Sequence, residues 1–547
     1  MRQSRISVSL ILTTLTLILQ LRQGQCSRQL LPVKLNQERL YEASDGSVLI
    51  FHGASFVNKE NDMIQVDDAF LDTFAQKWGF NIARVGFLWN LLEPAPGQYN
   101  LTYLDELDRL VSRFAQRGVY SILDMHQDLW SPIYCGHGIP PFYAHPYNQT
   151  AFWKGQKFAF PQPITAPRYR SESDENSSEV DHFPPISNCA EAQANILGWG
   201  SLYDSFAIGA AAQRLYDNDG GILDRFGDMW ALVAGRFHSR PEVLGYELLN
   251  EPWVGDQWKH LEFFLPSRAD PVNLQRMNAY LHKRIRQVDT EKLIFFEPAT
   301  GGNMPGSVGY TDTPGGPAYN DRQVLSYHLY CPKVVIPQYK PQRPILNWLE
   351  KYLEPWLEDY ACDWQYQHEV NHRERLIRKL GCGGLLTEFG GMFADESGGW
   401  RALHNLLHLM DDRLAGWIYW NEASWPDPNL DPRILKSIVR PYPRRIAGIP
   451  RKISYAYDTS QFTLVYKIRS SGLAKKSRNL TTEIYYNPIY NYPTGLECRT
   501  RPERLTSCEI LPQGLVLVRH AGVLQHGYVT VEMKPTMTTA KIENLLN

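Results

Sequence analysis

Eight short apolar runs lie between residues 48 and 424, and each of them turns polar towards its C-terminal end. Near-continuous apolar runs of this length are typical of parallel strands that are covered on both faces. The pattern therefore predicts eight buried strands with polar tips. The runs are VLIFHGASF (48–56), NIARVGFLW (81–89), YSILDMHQD (120–128), VLGYELLNEP (243–252), LIFFEPA (293–299), VLSYHLY (324–330), GGLLTEFGG (383–391) and LAGWIYWNEAS (414–424).

Amphipathic segments separate several of these runs. Residues 103–118 place their apolar side chains at helical spacing and end at Gly118, and residues 272–289 follow the same pattern. Eight strand–helix units within about 400 residues predict a (β/α)8 barrel. An open, doubly wound sheet is the alternative, but no glycine-rich phosphate loop follows the first strand to support it.

The pattern of apolar and polar residues changes after about residue 435. Pro441, Pro443 and Pro450 mark a linker, and apolar and polar residues then alternate with a period of two, as in antiparallel strands. We therefore predict a catalytic barrel over residues 27–435 and a C-terminal β-sandwich domain over residues 436–547. Residues 129–199 form an insertion in the barrel that is rich in proline and aromatic residues.

The N-terminus has the pattern of a secretory signal peptide. Arg2 and Arg5 precede an apolar run at residues 6–21, and small residues follow up to Cys26. An uncleaved anchor helix is the alternative, although the run is short for a span of about 20 residues. We expect cleavage after Cys26 and a secreted, extracellular protein without a transmembrane segment; a lysosomal or digestive compartment fits equally well.

The charge of the chain limits the kinds of partner that the protein can bind. The net charge of −2 and the lack of a basic cluster argue against a nucleic-acid partner.

Among the eight cysteines, Cys498 and Cys508 flank a short polar loop and form the best candidate disulfide, and Cys135 with Cys189 would close the insertion. Cys331, Cys362 and Cys382 compete for a third bridge. The spacing does not support a zinc site, and we expect neither metal nor cofactor. Four glycosylation sequons begin at Asn100, Asn148, Asn176 and Asn479.

The catalytic groups of such a barrel lie at the C-terminal ends of its strands. Those ends, or positions just beyond them, carry Lys59, Arg84, His126, Asp128, Asn250, Glu251, Glu297, His328, Tyr330, Glu388, Trp420 and Glu422. An isolated glutamate there would be a salt-bridged strand end. Two glutamates, Glu251 and Glu388, at the fourth and seventh strands suit cleavage of a glycosidic bond, where one protonates the departing oxygen and the other attacks the anomeric carbon.

Neighbouring polar residues fit this chemistry. Asn250 beside the acid can bind a sugar 2-hydroxyl, and Arg84 with Tyr330 can hold the nucleophile ionised and oriented. Trp420 can form a stacking floor for a sugar ring. A gap of about 5 Å between the two carboxylates would give retention through a covalent glycosyl-enzyme.

The motifs LLNEPW, YHLY and LLTEFGG resemble the barrel glycosidases of glycoside hydrolase family 5. RVGFLWNLLEPAPGQYN, LDMHQDLWS and NEPWVGD are closer still to the endoglycoceramidases within that family, and the likeness covers nearly the whole chain. The resemblance implies hydrolysis of the bond between the glycan and the ceramide of a glycosphingolipid held in micelles or membranes. It assigns Glu251 as acid/base and Glu388 as nucleophile, and it places Lys59, His126, Asp128, Asn250, Tyr330 and Trp420 at the sugars.

Other functions stay open from the sequence alone. They are hydrolysis of monoglycosylceramides, hydrolysis of a β-linked polysaccharide, and non-catalytic binding of glycans or lipids through the β domain. A glycolipid also needs an apolar groove, and we predict that the insertion lines it. The predicted lining residues are Ile133, Tyr134, Ile139, Phe142, Tyr143, Phe152, Trp153 and Phe158.

Overall fold

The computed structural model describes residues 29–59, 62–145, 203–299, 308–330, 346–390, 399–420, 432–468, 481–520 and 527–536. The predicted signal peptide, the insertion beyond residue 145, Cys189, Cys331, Glu422 and the sequons at Asn148, Asn176 and Asn479 lie outside these residues. Within the described part of the chain, none of the helices combines the length and the hydrophobicity that a membrane crossing requires.

The described strands fall into three groups. The first strands are β1 Val33–Leu35, β2 Tyr41–Ala43 and β3 Val48–Leu49. The barrel strands are β4 His52–Phe56, β5 Ile82–Phe87, β6 Tyr120–Met125, β7 Val243–Glu247, β8 Leu293–Phe296, β9 Gln323–Leu329, β10 Gly383–Gly390 and β11 Trp417–Trp420. The last strands are β12 Tyr442–Ile446, β13 Ile449–Ala456, β14 Gln461–Lys467, β15 Thr482–Tyr485, β16 Leu496–Arg501, β17 Thr506–Leu511, β18 Leu515–His520 and β19 Tyr528–Pro535.

Helices run between the barrel strands, and one further helix follows the last of these strands. They are α1 Asp68–Asp72, α2 Trp89–Leu92, α3 Leu101–Ala115, α4 Phe206–Tyr216, α5 Ile222–Phe237, α6 Pro266–Ala269, α7 Gln275–Arg286, α8 Leu346–Leu380, α9 Gly399–Asp412 and α10 Pro432–Ile438. Helix α3 shows why these segments fold as they do. The Oδ1 of Asn100 caps its first turn by accepting from the Tyr103 N–H at 3.1 Å, and its apolar stripe, including Leu107 and Phe114, is buried.

Strands β4 to β11 close into a parallel barrel, with β11 pairing to β4. All eight predicted strands are present, so the predicted (β/α)8 barrel is confirmed. Their side chains are almost all buried, as expected for strands covered on both faces. The run at residues 48–56 is not a single strand, however, because it divides into β3 and β4.

The C-terminal residues form the predicted antiparallel β domain. One sheet has the order β13-β14-β19-β16, and the other has the order β1-β2-β3-β12-β15-β18-β17. This second sheet takes strands from both ends of the chain, which a division near residue 435 did not anticipate. The predicted disulfide between Cys498 and Cys508 is present and joins β16 of one sheet to β17 of the other. Cys362 is also disulfide-bonded, and Cys382 is a buried free thiol.

The β domain packs on the barrel at the end opposite the catalytic strand tips. The ring of His52, the first residue of β4, is sandwiched between Trp417 at 4.2 Å and Tyr442 at 3.8 Å. The Tyr485 hydroxyl donates to the carbonyl of Lys77 at 2.6 Å, just before β5 begins. This domain therefore supports the base of the barrel and leaves the mouth open to other parts of the chain.

Candidate active site

The two glutamates reach the barrel mouth in different ways. Glu251 lies four positions beyond the end of β7, on the loop that follows it. Glu388 lies within β10 and pairs with His328 on the neighbouring strand β9. The register of these two strands shifts between Leu386 and Glu388, and such irregularities redirect side chains near active sites.

Both carboxylate oxygens of Glu388 are held by hydrogen bonds. Arg84 donates from Nη1 to Oε2 at 3.1 Å, and the Tyr330 hydroxyl donates to Oε1 at 2.5 Å. The Glu388 side chain is only 8% exposed. A buried carboxylate that accepts from a guanidinium and a phenol is fixed in orientation.

Glu251 is more open and is held mainly through its backbone. Its side chain is 25% exposed, and its Oε1 lies 2.8 Å from Nδ1 of His328. Its φ of 40° lies in the left-handed region, which is strained for a residue other than glycine. Gln127 stabilises this conformation by donating from Nε2 to the carbonyls of Asn250 at 2.9 Å and Glu251 at 2.8 Å.

Glu251 and Glu388 face one another across His328. One carboxylate oxygen of each glutamate and one nitrogen of His328 all lie within 4.8 Å of one another. Retaining glycosidases keep their two carboxyl groups about 5–5.5 Å apart, whereas inverting enzymes need about 6.5–9.5 Å to admit a water molecule. The separation fits the retaining geometry.

Arg84 is the centre of a buried charge network. It lies inside strand β5, below the mouth, and not at the strand end where the sequence suggested it. Besides Glu388, it contacts Glu247 at 2.5 Å and Asp124 at 3.2 Å, and it donates to the Asn250 side chain at 2.7 Å. Burial opposes its charge, but the surrounding carboxylates outweigh that cost and raise the pKa of Arg84 well above its ordinary value.

His328 and Glu297 form the wall behind Glu251. The Oε2 of Glu297 accepts from the Glu251 backbone N–H at 3.3 Å and lies 3.5 Å from Nε2 of His328. Burial disfavours the charged imidazole, but Glu297, Glu388 and Glu251 overcome it and raise the pKa of His328 to about 10. Burial raises the pKa of Glu297 well above its usual range, against the opposing charges of His328 and Arg84.

A second group of side chains extends the mouth to one side. The Lys59 ammonium lies 2.7 Å from Asp128 and 4.8 Å from the centre of the Trp420 ring. The His126 ring stacks on Trp420 at 5.7 Å with an angle of 8° between the planes. Burial opposes ionisation of Asp128, but Lys59, His126 and His137 lower its pKa well below the ordinary value. Trp420 itself is only 7% exposed, so its role as a stacking floor for a sugar stays a prediction.

The structure brings the ten residues predicted for the site into one continuous network. Asp124 joins its two halves, since its Oδ2 lies 2.8 Å from His126 and 3.2 Å from Arg84. The roles of these residues stay predictions. The ten are Lys59, Arg84, His126, Asp128, Asn250, Glu251, His328, Tyr330, Glu388 and Trp420.

Sequence reasoning missed several members of the network. Asp124 precedes His126 by two residues, and a period of two along the strand places both on one side, so this signal was available. Glu247 ends the same strand that leads to Asn250 but was passed over as part of an apolar run. His137 lies 2.8 Å from Asp128 and comes from the insertion, where no periodic pattern pointed to it.

Among the residues that the structure describes, three groups of side chains have the composition of cation sites. They are His126 with Asp128 and His137, Glu247 with Glu297 and His328, and Glu251 with His328 and Glu388. Their carboxylates already contact protein cations, since Lys59 lies at Asp128, and Arg84 lies at Glu247 and Glu388. The positive charge that these groups need is therefore supplied by the chain itself.

Comparison with known proteins agrees with this geometry. Residues 51–173 and 192–424 match the family described as cellulase (glycosyl hydrolase family 5), and residues 440–531 match the glycoside hydrolase family 5 C-terminal domain. An endoglycoceramidase of Hydra vulgaris is 31% identical over 481 residues, which cover 84% of this chain and 81% of the relative. An endoglycoceramidase of Cyanea nozakii is 27% identical over 508 residues, which cover 88% and 89%.

Solved structures share the fold at lower identity. Endo-glycoceramidase II from Rhodococcus sp., in its complex with ganglioside GM3, has a TM-score of 0.66 and 21% identity, covering 91% of this chain and 99% of that chain. At this identity the likeness establishes the fold alone. The family match along the chain and the 31% identity with the Hydra vulgaris relative show that the chain belongs to glycosyl hydrolase family 5 and, within that family, to the endoglycoceramidases.

Proposed function

We propose that this enzyme hydrolyses the β-glycosidic bond between the oligosaccharide and the ceramide of glycosphingolipids, with retention of configuration. The observation that carries the proposal is the facing pair of carboxylates, Glu251 and Glu388, whose nearest oxygens lie within 4.8 Å. Its substrate class is supported by the 31% identity with the Hydra vulgaris endoglycoceramidase.

The first step forms a glycosyl-enzyme. Glu388 attacks the anomeric carbon with one carboxylate oxygen while the bond from that carbon to the ceramide oxygen breaks. Glu251 gives its proton to the departing oxygen, so ceramide leaves as a neutral alcohol. Arg84 and Tyr330 hold Glu388 in line for the attack through bonds of 3.1 Å and 2.5 Å.

The second step reverses the roles. Glu251, now ionised, takes a proton from a water molecule, whose oxygen attacks the anomeric carbon and displaces Glu388. Asn250 is the proposed ligand of the sugar 2-hydroxyl, and Arg84 and the Gln127 carbonyl fix the orientation of its amide. Lys59, Asp128 and Trp420 would bind the next sugar hydroxyls and the ring face.

Two of the residues predicted to line the lipid groove belong to the buried core instead. Ile139 and Tyr134 are fully buried in the core, and the Tyr134 hydroxyl donates to the Ala144 carbonyl at 2.7 Å. Ile133, Phe142 and Tyr143 are partly exposed and stay candidates for lipid contact. Phe152, Trp153 and Phe158 lie outside the described residues.

A substrate panel tests the proposed activity. The purified enzyme is incubated with a ganglioside, with galactosylceramide and with cellulose, each dispersed in detergent where needed. We expect release of the intact oligosaccharide and ceramide from the ganglioside. Turnover of galactosylceramide alone would favour a monoglycosylceramide hydrolase, and turnover of cellulose alone would favour a polysaccharide hydrolase.

We also propose that the protein is secreted. Support comes from the signal-like N-terminus, from the disulfide between Cys498 and Cys508, and from the exposed sequon at Asn100. Expression in a eukaryotic secretory host, followed by N-terminal sequencing, tests this. A mature protein that begins at Ser27 is expected, and retention of the chain in the cytosol would contradict the proposal.

A further inference from the structure

The loop that carries Glu251 continues into a short segment with unusual exposure, residues 258–265, which we call the apolar turn. Leu261 is 66% exposed, Leu265 is 56% exposed and Phe264 is 42% exposed. Single exposed apolar side chains are common on protein surfaces, but contiguous groups mark interaction sites. Three such side chains within five residues therefore need a partner to explain them.

The apolar turn is built to hold these side chains outward. Residues 261–264 form a 3-10 helix, in which residues three positions apart face the same side, so Leu261 and Phe264 point together. The Trp258 ring contacts Phe264 edge-on at 4.9 Å and extends the patch. Phe263 points inward and is only 3% exposed, so it anchors the turn to the body of the protein.

The apolar turn lies at the mouth of the barrel. It follows β7 on the same loop as Glu251, on the side where the barrel strands end. The Trp258 indole N–H donates to the Asp204 carbonyl at 2.8 Å. The neighbouring Tyr203 stacks on Trp253 at 4.8 Å and accepts from the Leu129 N–H at 2.8 Å, which connects the turn to the loop after β6.

The charges around the apolar turn fit a lipid surface. Lys259 and Arg268 are exposed, and the His260 side chain is 41% exposed. The exposed carboxylates beside them are Glu262, 3.7 Å from His260, and Asp204, whose carbonyl accepts from Trp258. Apolar side chains flanked by cations are the composition that binds at the boundary between lipid headgroups and acyl chains, where anionic lipids attract the cations.

We infer that the apolar turn docks the enzyme on the lipid bilayer that presents its substrate, with Leu261, Phe264 and Leu265 entering the headgroup region. This inference rests on the proposed function and extends it, because a glycosphingolipid carries its scissile bond at the membrane surface. Docking beside Glu251 brings the barrel mouth to that bond without removing the ceramide from the bilayer.

The test compares one double variant with a matched control. Leu261→Ser combined with Leu265→Ser removes two of the three exposed side chains. Ile489→Ser alters a residue of similar exposure, 68%, beside Asn487, which bonds to Lys77 at the opposite end of the barrel. Each protein is measured for sedimentation with vesicles of phosphatidylcholine, phosphatidylserine and a ganglioside, for ganglioside hydrolysis in those vesicles, and for hydrolysis of a soluble aryl lactoside.

We expect the double variant to bind the vesicles about tenfold less or weaker still, since each buried apolar side chain contributes strongly to interfacial binding. Its ganglioside hydrolysis in vesicles should fall in parallel, while aryl lactoside hydrolysis stays at the wild-type level. The Ile489→Ser protein should match the wild type in all three measurements.

Each other outcome has a separate meaning. Vesicle binding and hydrolysis at wild-type levels would overturn the inference, and so would a loss of aryl lactoside hydrolysis, which would indicate a structural role. A wild-type dimer that the double variant converts to a monomer would show that the turn joins two copies of the chain. Failure of the wild type on detergent-dispersed ganglioside would instead contradict the proposed function, while vesicle sedimentation would still test the turn.

Discussion

The two glutamates at the barrel mouth occupy contrasting surroundings. Glu388 is 8% exposed, and both its oxygens accept hydrogen bonds from fixed donors. Glu251 is 25% exposed, contacts His328 with one oxygen, and owes its position to a strained backbone that Gln127 holds. A rigid, charge-compensated carboxylate suits a nucleophile, and a more accessible one suits a group that exchanges a proton with substrate and water.

The contrast teaches that one network can support opposite roles. Arg84 donates directly to Glu388, whereas its links to Glu251 run through neighbours. It donates to the side chain of Asn250, the residue before Glu251, and lies 3.6 Å from Glu297, which accepts from the Glu251 backbone N–H. His328 lies between them, at 2.8 Å from Glu251 and 3.8 Å from Glu388. The two ends of the site should therefore respond differently to substitution.

The largest effect is expected for Glu388→Gln. The amide keeps the shape of the side chain but cannot attack the anomeric carbon, so kcat on ganglioside should fall on the order of 10⁴–10⁶-fold. Urea unfolding should confirm that the variant stays folded. Wild-type turnover in a folded Glu388→Gln protein would eliminate this residue as the nucleophile.

The next effect, for Glu251→Gln, should depend on the leaving group. On ganglioside we expect a loss of about 10²–10⁴-fold, because the ceramide oxygen needs a proton to depart. On a dinitrophenyl lactoside, whose leaving group needs no proton, formation of the glycosyl-enzyme should stay near the wild-type rate in a stopped-flow burst. Added azide should accelerate turnover, since it attacks without a general base. An equal loss on both substrates would mean that Glu251 is not the acid/base.

Tyr330→Phe should have an intermediate effect. It removes one hydrogen bond to a charged group, a contact of about 1.5–3 kcal/mol, so kcat should fall about 10- to 100-fold with little change in KM. Tyr134→Phe is the matched control, because its buried hydroxyl bonds to the Ala144 carbonyl away from the site. If both variants lost activity equally, the Tyr330 bond would have no special role.

The smallest effect concerns the pH dependence of stability. The pKa of His328 is raised from its ordinary 6.5 to about 10 by neighbouring carboxylates after burial has opposed it. A raised pKa adds stability that is complete below pH 6.5 and is lost as the pH rises through 10. The difference in unfolding free energy between the wild type and His328→Asn should therefore shrink as the pH rises from 6.5 to 10. A difference that stays constant over this pH range would contradict the raised pKa of His328.

Much of the barrel could be predicted because each strand is covered on both faces and so forms a continuous apolar run. The division of residues 48–56 between β3 and β4 could not, since both pieces are equally apolar and differ only in which sheet they join. The pairing of β3 with β12 is a long-range contact that no local pattern encodes. The period-two alternation of β14 and β19 was readable because only one face of each strand is buried.

The site residues, too, could be predicted only where a local sequence pattern reveals them. Residues at strand tips, such as Glu251 and Tyr330, are visible because polarity appears where an apolar run ends. Asp124 lies inside β6 and Glu247 is the last residue of β7, where Arg84 faces both of them from β5 and His126 also contacts Asp124. That compensation is a contact between strands and is invisible until the barrel is closed.

Trapping the glycosyl-enzyme tests the central claim most directly. The enzyme is treated with a fluorinated lactosyl fluoride, which slows both steps but keeps a good leaving group, and the digested protein is then sequenced by mass spectrometry. One lactosyl group attached to Glu388 is the expected result, with loss of the label when Glu388→Gln is used. A label on Glu251, or a product of inverted anomeric configuration, would contradict the assignment of the two glutamates.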